Sequence, residues 1–166
     1  MSLGTFTALH VIISLIAIVA GFVAVYGMLK ARLFGGWTAV FLATTILTSV
    51  TGFLFPFTDL KPSHIFGIIS LMLLALSLLG LYAFRLAGRW RWIYAVTAVV
   101  SLYLNTFVLI VQSFQKVPFL APLAPTQSDP PFAAAQLILL VATFGIGYLC
   151  VRRFHPRGGS ARVAAI

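Results

Sequence analysis

Residues 6–29 read FTALHVIISLIAIVAGFVAVYGML, and residues 30–36 follow with KARLFGG. The first stretch contains no Asp, Glu, Lys or Arg. At 1.5 Å rise per residue it makes a helix of about 36 Å, enough to cross a hydrocarbon core of roughly 30 Å. The second stretch adds two cations, Lys30 and Arg32. This unit, an uncharged apolar run closed by a short basic turn, recurs along the chain. The runs are about Phe6–Leu29, Trp37–Phe55, His64–Phe84, Trp92–Phe114 and Phe132–Val151, and each lacks the four charged residue types.

Five such runs predict an all-α protein, an integral membrane five-helix bundle, in one transmembrane domain covering residues 1–166. Helices are expected because a peptide group in lipid must be hydrogen-bonded within its own segment. Composition agrees: the chain is 61% hydrophobic and 8% charged, whereas a soluble globule is about 45–50% apolar and 25% charged. With five spans, Lys30 and Arg32, then Arg85, Arg89 and Arg91, then Arg152, Arg153, Arg157 and Arg162 fall on one side. Only Lys61 and Lys116 fall on the other. The positive-inside rule makes the basic side cytoplasmic, with the amino terminus outside and the carboxy terminus inside. The expected location is the bacterial inner membrane, multi-pass. The first run is read as a retained span, since it lacks a basic n-region and exceeds a signal-peptide h-region.

The net charge of +9 would suggest nucleic acid in a soluble protein. Here the cations lie at helix ends, where they set topology and meet headgroups, so the expected partner is the bilayer and not nucleic acid. Cys150 is the lone cysteine, which excludes a disulfide framework and a C-x-x-C pair. There is no phosphate-binding glycine loop, carboxylate pair or nucleophile-with-base arrangement. Asp59 and Asp129 are the acidic residues, both between runs, which counts against a buried carboxylate proton relay. No catalytic residue is assigned.

Two candidate sites remain. His10 and His64 open the first and third spans from the same side, and intramembrane ionisable residues tend to mark function. Two neutral imidazoles could ligate a haem iron axially, or a metal ion, with Gly67 one turn after His64 leaving room for a flat ring and Ser14 one turn after His10. The alternatives are a hydrogen-bonded polar pair, or no interaction. On the fourth span Ser101, Asn105, Gln112 and Lys116 share one face. With Ser14 and Gln136 of the fifth span they predict an outer pocket, or else interhelical hydrogen bonds. The segment Gln115–Pro131 holds five of the eight prolines with Val117, Phe119, Leu120 and Leu123 between them. It reads either as a loop resting in the headgroups or as a lid.

Weak internal duplication is visible. His10 and His64 are 54 residues apart, while Lys30 and Arg85, and Trp37 and Trp92, are each 55 apart. The stretch from Leu9-His10 through Lys30, with Pro62-Ser63-His64, resembles a bacterial family of small membrane proteins of unknown function, over roughly the first 90 residues. That family places a His-Arg pair in the first basic turn, whereas this chain has Lys30–Gly36 without histidine. The histidine placement is also similar to that of small b-type cytochromes, which implies at most one bis-histidine haem b on His10 and His64. Three functions stay open: a redox or metal- or haem-binding membrane protein, a small-molecule binder or permease, and a non-catalytic accessory subunit with membrane-protein partners or further copies of itself.

Overall fold

The computed structural model describes residues 2–55 and 62–156, with the side chains of 62–64 excepted. Helix α1 (Leu3–Leu29) starts at Ser2, whose hydroxyl accepts from the Thr5 N–H at 3.2 Å, as an N-cap serine does. It ends in a turn in which Ala31 adopts φ 55°, and α2 (Gly35–Phe53) begins three residues after Ala31's neighbour Arg32. Helix α3 (Pro62–Leu78) passes into a π-helical turn, Leu79–Ala83. Helices α4 (Trp90–Lys116) and α5 (Pro130–Arg153) are joined by a connection containing one 3₁₀ turn, Ala121–Leu123. Five helical segments are long and apolar enough to cross a membrane: Leu3–Leu29, Gly35–Phe53, Ile65–Ala83, Trp90–Lys116 and Pro130–Arg153.

The helix ends differ from the sequence reading by a few residues, for local reasons. Helix α5 begins at Pro130 rather than Phe132, because proline is tolerated in the first turn, where its missing N–H has no intrahelical partner. Helix α4 extends to Lys116 because a cation suits the carbonyl end of a helix. The two basic turns both require left-handed backbone. Ala31 (φ 55°) and Leu86 (φ 58°) are 55 residues apart, the spacing that relates Lys30 to Arg85, so the duplication extends to backbone conformation. The second turn holds two further left-handed residues, Arg85 (φ 47°) and Gly88 (φ 52°).

Helix α4 is central, packing on α1, α3 and α5, while α2 packs on α1 and α3. Close approach is set by Gly21 of α1: a Cβ there would lie 2.7 Å from Leu102 Cδ1 and 2.9 Å from the Phe41 ring, so α1, α2 and α4 meet at this point. Gly80, within the π turn, likewise lets α3 approach the Trp90 carbonyl and Tyr94 Cβ of α4. Among the described residues, α3 packs chiefly on α2 and α4 rather than on α1.

Helix α5 is peripheral. Of its side chains only Phe132 and Cys150 are buried, and Ile138 and Phe144 are 69% and 72% exposed. Its end is nevertheless tied to the bundle, because Arg91 donates from a guanidinium nitrogen to the Phe154 carbonyl at 2.8 Å. The Phe154 ring is fully buried against Tyr94, at 5.7 Å between centroids.

Replacing Gly21 by valine is expected to lower the unfolding midpoint in detergent, since overpacking a filled core costs about 1–3 kcal/mol. Gly145→Ala meets no atom within 4 Å. It should be neutral or stabilising by up to about 1 kcal/mol through helix propensity. Thermal unfolding of the two variants checks the contrast.

Candidate functional site

His10 lies two turns into α1, half-buried against α2. Its Nδ1 is 2.8 Å from the Thr51 hydroxyl. That hydroxyl also donates to the Leu47 carbonyl at 2.7 Å. A hydroxyl has one proton, so with that proton on Leu47 the Thr51 oxygen must accept from His10. The imidazole therefore carries hydrogen on Nδ1, and in its neutral form Nε2 holds the free lone pair. The ring stands edge-on to Phe55 at 5.2 Å, and Phe55 in turn packs on Phe6 at 4.8 Å. Gly52 of α2 lies beside the imidazole, where an added Cβ would be in ordinary contact with His10 Cε1 at 3.9 Å. One turn deeper, Ser14 donates to the His10 carbonyl at 2.7 Å and approaches the Thr48 hydroxyl at 3.4 Å. Lys116, exposed at the end of α4, is near enough for its charge to act on His10.

A ring nitrogen fixed by a donated hydrogen bond, with the other left open, is the arrangement of a metal-ligating histidine. His64 opens α3, but its side chain lies outside the described residues, and so does any pairing with His10. Among the described residues no three His, Cys, Asp or Glu side chains gather as a metal site. The room that Gly67 was expected to clear for a flat ring is taken up by Phe53, whose Cζ would lie 2.9 Å from a Cβ at residue 67.

The other expected pocket residues are distributed along the bundle. Asn105 donates to the Thr45 hydroxyl of α2 at 3.1 Å. Gln136 donates to the Phe107 carbonyl of α4 at 3.3 Å, leaving its own carbonyl oxygen buried and unpartnered. Gln112 is exposed, as is Lys116. Ser101 is fully buried with no partner for its hydroxyl. The prolyl connection divides its apolar groups: Phe119 and Leu123 are 72% and 53% exposed, while Val117 and Leu120 are half-buried and Ala124 is buried. It is braced by Asp129, one carboxylate oxygen of which accepts from both the N–H and the hydroxyl of Thr126, at 2.7 and 3.0 Å.

The hydroxyl pairs between helices are what sequence reasoning undervalued. Ser77 and Thr97 join α3 to α4 at 2.7 Å, and Ser49 donates to Ser70 across α2 and α3 at 3.3 Å. A threonine hydroxyl within a helix readily bonds back to its own backbone. Thr51 does so, and serves His10 with its lone pairs as well. The available signal was the spacing of Thr38, Thr45 and Ser49, which puts one polar face of α2 inside the bundle. Comparison with protein-family models, curated proteins and solved structures returned no match.

Thr51→Val should remove the acceptor for the His10 Nδ1–H while preserving side-chain shape. In ¹⁵N-histidine spectra the His10 ring is expected as the Nδ1–H tautomer in the parent protein and as a tautomer mixture in the variant. An Nε2–H tautomer in the parent would refute the assignment.

Proposed function

We propose that this chain is a multi-pass protein of the bacterial inner membrane, amino terminus outside and carboxy terminus cytoplasmic, acting as a non-catalytic accessory subunit of a membrane assembly. The observation that carries this is the pairing of polar side chains from helix to helix. Asn105 with Thr45, Ser77 with Thr97, Ser49 with Ser70 and His10 with Thr51 each bind two helices together. The amide and hydroxyl groups that would have lined a binder's or permease's pocket thus serve mainly as interhelical contacts. What the chain offers to its surroundings is the apolar outer face of α5, where Ile138 and Phe144 project. A partner subunit or another copy of the chain would use that face in the bilayer.

A second reading, a redox or metal- or haem-binding protein using His10 and His64, is favoured by the open Nε2 of His10. Its test is an optical spectrum with metal analysis of the parent protein, His10→Ala and His64→Ala. A Soret band lost in both variants would establish it in place of the accessory role.

Reporter fusions test the topology. A reporter fused after Ile166 should be active only if it works in the cytoplasm, and one inserted at Gln127 only if it works outside. The accessory reading predicts a stoichiometric assembly by native electrophoresis in mild detergent, weakened when Ile138 and Phe144 are both changed to alanine. A monomer in both cases would overturn it.

A further inference from the structure

At the end of the bundle opposite His10 the chain gathers cations without supplying anions. Arg85 and Arg89 in the α3–α4 turn, and Arg152 and Arg153 in the last turn of α5, are all exposed. Lys30 and Arg32, also exposed, follow α1 at the same end. Asp129 lies in the connection at the other end, bonded to Thr126, and in the sequence Asp59, the second acidic residue, falls between the second and third apolar runs. Among the described residues, no carboxylate side chain is therefore in a position to neutralise the arginines.

Their placement is also organised. The Arg91–Phe154 hydrogen bond ties the carboxy-terminal end of α5, with Arg152 and Arg153, to the amino-terminal end of α4, which Arg89 precedes. Arg152 is steadied on its own helix by the Tyr148 hydroxyl at 2.8 Å, with its guanidinium 5.5 Å from that ring. Phe84 stacks on Trp90 at 4.0 Å with the rings 3° from parallel. Trp37, Trp92 and Tyr148 are exposed at this end, as side chains at headgroup level are.

We infer that this end is a seat for anionic phospholipid, whose phosphate groups act as the counter-ions the chain lacks. Arginine suits the task because its planar fork meets phosphate oxygens through two hydrogen bonds, and basic pockets at helix ends bind anionic headgroups. The inference rests on the membrane reading proposed above, but not on which leaflet this end meets.

Native mass spectrometry of the full chain tests it, with phosphatidylglycerol and phosphatidylcholine of identical acyl chains as probes. A cation at the surface contributes roughly a fivefold preference, so phosphatidylglycerol should be retained at least about fivefold over phosphatidylcholine. The Arg89→Gln, Arg152→Gln, Arg153→Gln triple variant should lose most of that preference. Arg152→Lys keeps the charge and should retain most of it, which guards against a folding defect in the triple variant. Lys116→Gln, at the other end, should change nothing. Equal retention of the two lipids, or an equal loss in Lys116→Gln and the triple variant, would overturn the inference. A carboxy terminus found outside by the reporters, with the lipid preference intact, would refute the orientation and leave this seat standing.

Discussion

A hydroxyl or amide on an apolar helix can bond only to its own backbone or to the next helix, and the bundle is arranged around that restriction. The polar face of α2 meets α1 through Thr51 and Thr48, α4 through Thr45 and α3 through Ser49. These contacts fix which faces turn inward in helices whose apolar character is nearly uniform. Apolar burial alone would not do so: the outward side chains of α5 are as hydrophobic as those in the core. Close packing supplies the rest, with Gly21 and Gly80 letting backbones approach where a Cβ would collide.

The architecture was legible because an apolar run of about twenty residues without a charge has few alternatives. Helix number, approximate limits and the clustering of cations at one end follow from the pattern of residues. The site was less legible. Asn105, Gln136 and Ser14 were singled out as polar groups within the apolar runs, but a one-dimensional pattern carries no azimuth between helices. Whether Asn105 meets Thr45 or a shared cavity depends on how α2 and α4 are rotated. Gly67 illustrates the same limit: a small residue signals that something comes close, and the neighbour that a Cβ there would meet is Phe53. The proline-dense connection was read as a loop resting in the headgroups or as a lid, and it turns Phe119 and Leu123 outward while Val117 and Leu120 are half-buried.

The two ends of the molecule differ in chemistry. One carries His10, oriented by Thr51 and framed by Phe55, its Nε2 without a hydrogen-bond partner among the described residues. The other carries arginines, interfacial tryptophans and two strained turns at Ala31 and at Arg85-Leu86. Left-handed backbone at non-glycine residues costs energy, and here it reverses the chain within a few residues. That keeps the connections short and makes consecutive helices antiparallel neighbours. The matching left-handed positions in both turns fit an origin of α1–α2 and α3–α4 from one helical hairpin. In the second hairpin Gly80, within the π turn, packs against α4.

The claim that polar side chains act as interhelical ties is tested most directly by a double-mutant cycle on Thr45 and Asn105. Unfolding free energies in detergent would be measured for Thr45→Val, Asn105→Leu, the double variant and the parent. The account predicts a coupling of roughly 0.6 kcal/mol, and up to about 2 kcal/mol. Strict additivity would contradict it, by showing that Asn105 contributes to the bundle without regard to α2.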